Sequence, residues 1–244
     1  MTAVASANRA DLRWSFIDLK SWALEAVADS PAGDPFIAGR RTLHLDDGPV
    51  TAGALLLRPG AGQVAGQVAD EFLHVVAGRL ALEIGAERFE LEAGQSIVIP
   101  PDAPFSWRCG QPTVLIYLRH ATEAGPSLNA SAMDPATERQ PSGAPLAELL
   151  TTPTPQCRNH TQYMSADGAF LCGVWDSTPY ARNAMTYDHH ELMHLLEGAV
   201  TFVDDAGEMA TFDEGDVFLV RRGARCSWLS DCHVTKVFAI YRPG

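Results

Sequence analysis

The sequence predicts an all-β chain built as two small barrels in tandem, preceded by a short N-terminal helix or arm. Three observations carry that expectation. Residues 43–117 repeat in residues 163–238, both stretches alternate apolar and polar residues in short runs, and no long amphipathic helical period interrupts them.

The repeat is ordered along the chain. A shift of 120 residues pairs Asp47-Gly48 with Asp167-Gly168, Gly53 with Gly173, Pro59 with Pro179, Glu71 with Glu191, His74 with His194 and Gly78 with Gly198. One extra residue in a turn then makes the shift 121, pairing Leu91 with Phe212, Gly94 with Gly215 and Trp107 with Trp228. A single slip at a turn is what diverging tandem copies accumulate.

Within copy one, Arg79-Leu-Ala-Leu-Glu-Ile84 and Arg88-Phe-Glu-Leu-Glu92 alternate as strands around a hairpin turn at Gly85-Ala-Glu87. Copy two repeats this with Val200 and Phe202, a turn at Asp204-Asp-Ala-Gly207, then Ala210 and Phe212. Phe72-Leu-His-Val-Val76, Leu192-Met-His-Leu-Leu196 and Val217-Phe-Leu-Val220 are apolar on both faces. Such strands need cover beyond their own barrel, supplied by the other copy or by a second protomer in a homodimer. Even spacing of short strands with glycine-containing turns indicates a small barrel or jelly roll.

The expected organisation is an arm or helix over residues 1–35, barrel one over 36–119, a Pro/Ser-rich linker over 120–156 and barrel two over 157–244. Residues 12–27, with Trp14, Phe16, Leu19 and Trp22, form either a short helix or an extended arm on a barrel. Leu146-Ala-Glu-Leu-Leu150 suits one helical turn.

Charge narrows the partners. Lys and Arg number 18 against 30 Asp and Glu, a formal net charge of -12, which repels phosphate backbones and anionic lipid. No nucleic acid or membrane partner is expected, and a small-molecule ligand is. The first residues lack the apolar core of a signal peptide, and no window reaches the roughly 18 apolar residues of a membrane span. Five cysteines without C-x-x-C spacing read as free thiols, so a cytoplasmic location is expected.

The order of a Glu, six residues, a strand-closing Gly, an alternating hairpin and Gly215-Asp-Val-Phe-Leu-Val220 resembles the two signature motifs of the cupin superfamily. The resemblance implies two jelly-roll barrels of that family, a bicupin. In copy two, Gly173-Val-Trp-Asp-Ser-Thr-Pro179, Glu191, Leu196-Glu-Gly198, Glu214-Gly-Asp216, Trp228 and Lys236 are similar to the branch typified by ureidoglycine aminohydrolase.

Typical members bind a divalent metal through a His-x-His step, a Glu and a later His. Carried onto this chain, those places fall near Ala65 and Gln67, at Glu71 and at Phe105 in copy one, and near Met185 and Tyr187, at Glu191 and at Cys226 in copy two. The Glu is kept twice and the histidines not at all, so copy one is expected to be metal-free. In copy two, Glu191, His189 and Cys226 are the metal candidates, for Zn, Mn, Fe or Ni. Against that stands a small buried Cys226 and a solvated His189-His190 turn.

The ligand-pocket candidates are Tyr187, His189, Glu191, Met193, Cys226 and Trp228, with Gln67 and Glu71 in copy one. His74 and His194, three residues after each Glu, point away from the pockets by alternation, which suits hydrogen-bonded histidines where the two barrels or two protomers meet, with a catalytic base as the alternative. Arg221-Arg222 and Arg225 form a basic cluster that either grips a carboxylate or consists of surface arginines in a loop. Three functions follow in order: a binder of a small polar or carboxylate metabolite in barrel two, a metal-dependent aminohydrolase-like enzyme acting on small nitrogenous metabolites, and a non-catalytic structural or oligomerisation protein.

Overall fold

The computed structural model of the chain describes residues 15–25, 33–45, 48–122 and 129–244. Expectations on residues 1–11, Trp14, Val27, Asp47 and Gly125-Pro-Ser lie outside the described residues. Four antiparallel sheets pair into two barrels, each with one large and one four-stranded sheet. The large sheet of barrel one runs Ser131–Ala132, Ser96–Ile99, Asp70–Ala77, Thr113–His120, Val50–Leu57, Arg40–His44. That of barrel two runs Phe16–Asp18, Val217–Val220, His190–Glu197, Val234–Tyr241, Phe170–Ser177, Cys157–Met164, Gln140–Ser142. The all-β, two-barrel jelly-roll expectation is met.

Alternation sorts each central strand between two cores. In Asp70–Ala77, Leu73 and Val75 face the interior of barrel one, while Phe72 joins a cluster shared with barrel two. In His190–Glu197, Met193 and Leu195 face the barrel interior and Leu192 the shared cluster. Ala52, Ile116 and Leu118 of barrel one meet Val174, Leu219 and Ala239 of barrel two in that shared layer. The strands that are apolar on both faces are therefore covered within the chain. Register keeps the copies alike where the motif strand meets the last strand of its barrel, with a slip between Val114 and Leu115 in one and between Leu195 and Glu197 in the other. Barrel two adds a slip between Thr161 and Tyr163. Gly78 (φ 90°) and Gly198 (φ 81°) end the strand that carries the motif Glu. A Cβ there would meet the carbonyl oxygens of Pro112 and His233 at 2.6 and 2.1 Å, so glycine alone fits both places.

Each copy's leading segment crosses to the other barrel. Phe16–Asp18 pairs with Val217–Val220 in barrel two, and Ser131–Ala132 pairs with Ser96–Ile99 in barrel one. The N-terminal segment is thus a strand followed by a helix, Leu19–Leu24, which Asp18 caps through the Ser21 amide. The described residues of 120–156, a span whose composition suggests a linker, carry the short strands Ser131–Ala132 and Gln140–Ser142 and the 3-10 turn Ala147–Leu149. Edge positions tolerate the proline in Gln140–Ser142, which is why composition alone hides the pairing. No helix among the described residues is long and apolar enough to cross a membrane.

His74 and His194 meet where the barrels join, ring centroids 4.4 Å apart. His74 Nδ1 lies 2.9 Å from Ser96 Oγ, while His194 Nδ1 has no partner among the described residues. Burial, with His194 and Lys20 nearby, holds His74 well below the usual imidazole range. Burial and Lys20, against Asp216, bring His194 down to about 4. Unfolded histidines protonate at about 6.5, so stability contributed by the neutral rings is present above that pH and is lost as pH falls toward 4. His194 alone accounts for about 2 kcal/mol between pH 7 and pH 5. Urea unfolding at the two pH values should show this loss, and a His74→Asn/His194→Asn variant should show a flatter pH profile than the parent.

Candidate functional site in barrel two

Each barrel encloses its motif glutamate, and each glutamate meets a cation from its own chain. In barrel one, Glu71 is fully buried and takes a two-pronged contact from Arg40, at 2.5 and 3.0 Å. Gln67 Nε2 donates to the same carboxylate at 2.7 Å, and Arg119 Nε stands 3.8 Å away. The Arg40 guanidinium lies 4.8 Å over the Tyr117 ring and 5.6 Å over Phe36. Burial alone would lower Arg40, but Glu71 more than reverses this and leaves it raised. Gln67 and Glu71 are thus brought together, with a guanidinium filling the space beside them.

Barrel two keeps an open cavity of about 350 Å³, at the small end for ligand sites. The strand Val234–Tyr241 explains one wall: Lys236, Phe238 and Ile240 line the cavity, while Val237, Ala239 and Tyr241 join the inter-barrel core. Lys236 Nζ donates to Glu191 Oε1 at 2.8 Å and sits 4.7 Å over Trp175 and 5.4 Å over Trp228. His189 Nε2 lies 3.4 Å from Glu191 Oε2, and its Nδ1 lies 2.5 Å from Asp188. Burial would raise the Glu191 carboxyl, yet Lys236 and His189 pull it down to about 2. Burial opposes the charge on His189 as well, but Glu191 and Asp188 leave its pKa raised.

Arg182 forms another wall. It is 5% exposed, and its Nη1 donates to the carbonyls of Cys226 (2.8 Å) and Asn183 (3.2 Å), its Nη2 to the Tyr187 hydroxyl (3.2 Å). None of these partners is anionic. Arg242 stands at the exposed rim, 3.3 Å from His189 Nδ1 and 3.5 Å from Asp188.

Of the residues singled out from sequence, Tyr187, His189, Glu191 and Trp228 line this cavity. Met193 and Cys226 are fully buried in the barrel core and do not line it. Of the two readings of the arginine cluster, the carboxylate grip is not met at this cavity. Arg225 is exposed and paired with Asp205 at 2.6 Å, and neither Arg221 nor Arg222 lines the cavity. Alternation along Arg225–Ser230 turns Cys226, Trp228 and Ser230 inward and Arg225 outward. The cavity's cations are Arg182, Lys236 and Arg242, none of them named as site residues from sequence. Lys236 had a visible signal, a lysine in the middle of an apolar central strand. Arg40 and Arg182 had none, because register alone decides where they reach.

The donor set does not fit the metal that the fold implies. Glu191 already holds an ammonium at 2.8 Å, and a divalent cation there would face it. Burial pushes the Cys226 thiol up to about 11, away from the thiolate a metal requires. Among the described residues no three His, Cys, Asp or Glu side chains are grouped to hold an ion.

Residues 56–118 match the family model described as cupin domain, and residues 164–238 the one described as EutQ-like cupin domain. A protein of unknown function of the DUF861 family from Pseudomonas syringae pv. tomato is 30% identical, with a TM-score of 0.80, covering 95% of this chain and 96% of that one. A cupin 2 conserved barrel domain protein from Leptotrichia buccalis (9% identity, TM-score 0.61, 93% and 96% covered) shares the fold. So does the DUF861 protein Ylba from E. coli (10% identity, TM-score 0.57, 93% and 89% covered). No curated protein matches the sequence.

Removing one partner of the Lys236–Glu191 pair strips the other, still buried, of its principal counter-charge. Lys236→Met should cost about 3–5 kcal/mol in urea unfolding, and adding Glu191→Gln should recover most of that loss.

Proposed function

The chain belongs to the cupin superfamily as a two-barrel member, and from that premise we propose that its function is to bind a small anionic metabolite, a carboxylate, in barrel two. Arg182 carries this reading. A buried guanidinium answered only by carbonyls and a phenol is costly, and a ligand anion at the cavity would supply the missing counter-charge. Lys236, Arg242 and His189 stand against Glu191 and Asp188, which leaves Arg182 to set a positive local field in a chain of net charge -12. That field raises the local concentration of small anions against the repulsion of the rest of the surface.

Barrel one serves as scaffold in this account, since Arg40 and Gln67 already satisfy Glu71. The metal-dependent aminohydrolase reading is less favoured, because the ligands it needs do not converge at Glu191. The narrower likeness to ureidoglycine aminohydrolase rests on the motif residues of copy two alone.

The test is a thermal-shift screen of the full chain with small carboxylates, matched amides and matched amines. Carboxylates should raise the melting temperature, by the equivalent of about 2.7 kcal/mol at one hundred times the dissociation constant. Arg182→Met should remove that shift, and an Arg40→Met variant that remains folded should keep it. A shift with amines alone, or one unaffected by Arg182→Met, contradicts the proposal.

A further inference from the structure

The walls of the same cavity say more about the ligand than its charge. Building on the anion reading, we infer that barrel two selects monocarboxylates with a compact apolar body, and rejects dicarboxylates. The first ground is local charge matching. Lys236 is paired with Glu191, and Arg242 stands 3.5 Å from the exposed Asp188. His189 is flanked by Asp188 and Glu191. Arg182 is the lining cation whose hydrogen bonds reach no carboxylate. One such cation calls for one ligand charge, and a second carboxylate would be desolvated beside Glu191 without a cation of its own.

The second ground is the rest of the lining. Trp175, Tyr180, Met185, Trp228, Phe238 and Ile240 all border the cavity. Tyr180 and Trp228 stack at 5.4 Å, and Trp175 meets Trp228 edge-on at 6.0 Å, which fixes these rings as a rigid apolar surface. The Tyr187 oxygen accepts from Arg182 and keeps its own proton to donate. An apolar ligand body suits these ring faces, against which a charged or strongly hydrated group would lose water, while Asn159 also borders the cavity with a polar side chain. A volume of about 350 Å³ then limits the apolar body to a single ring or a short chain.

The third ground is the roof. Gly143, Ala144 and Pro145, from the segment between the barrels, border the cavity with small apolar groups. That segment is held at both ends. Gln140–Ser142 pairs with Cys157–Met164, while Leu150 bridges Arg182 and the Thr151 amide donates to Ala181 at 3.0 Å. The bridge to Arg182 ties the roof to the residue that receives the anion.

Isothermal titration of the full chain with butyrate, cyclohexanecarboxylate and benzoate, against succinate and tartrate, tests the inference. The apolar monocarboxylates should bind at least about tenfold tighter, a difference of about 1.4 kcal/mol. Ala144→Asp, at an exposed position that the fold tolerates, should weaken them while Ala144→Asn does not. Succinate or tartrate binding as tightly through Arg182 overturns the selectivity and leaves the anion reading standing. Absence of binding by any carboxylate overturns both. An Ala144→Asp variant with undiminished affinity for the apolar acids contradicts the assigned roof.

Discussion

Each barrel is organised around a buried glutamate whose charge is answered by a cation of the same chain. Glu71 and Glu191 sit at matched places on matched strands, and neither could remain ionised in a barrel interior without compensation. Arg40 supplies it in barrel one and Lys236 in barrel two. The two solutions differ in what they leave open. A guanidinium held over Phe36 and Tyr117 closes the space beside Glu71. An ammonium held over Trp175 and Trp228 leaves room, and Arg182 faces that room with neutral partners only.

The barrels are not beads on a string. Their large sheets share one apolar layer, and each copy lends an edge strand to the other, Phe16–Asp18 in one direction and Ser131–Ala132 in the other. The exchange covers the outer edges of Val217–Val220 and Ser96–Ile99, whose two faces are buried in the barrel interiors and the shared layer. It also places the inter-barrel segment at the mouth of barrel two, so the joint between the domains is part of the pocket wall. The polar contacts across the seam, Tyr163 to Asp70 and His120 to Asp167, fix the mutual orientation.

Most of the fold was legible in the sequence because the features that encode it are periodic and local. Paired glycines, alternating strands and hairpin turns need only neighbours to read, and the outward direction of His74 and His194 followed from counting two residues per pleat. The site was legible in part. Tyr187, His189, Glu191 and Trp228 were reached through the repeat. Arg182, Arg242 and Lys236 were missed as site residues because their role depends on which strands lie side by side. Cys226 and Met193 were credited with pocket positions that barrel curvature gives instead to Lys236 and Phe238. The three arginines near the second motif were open to two readings, an anion grip or surface loop arginines, because composition shows charge but not direction, and alternation sends Arg225 outward to Asp205.

If protein cations have taken over the charge balance at the motif glutamates, the purified full chain should carry no tightly held divalent metal. Elemental analysis after exchange into metal-supplemented and then metal-free buffer measures this directly. The account predicts Zn, Mn, Fe and Ni all well below one equivalent, with the same result in Glu191→Ala. Near-stoichiometric metal in the parent chain that disappears in Glu191→Ala would contradict it.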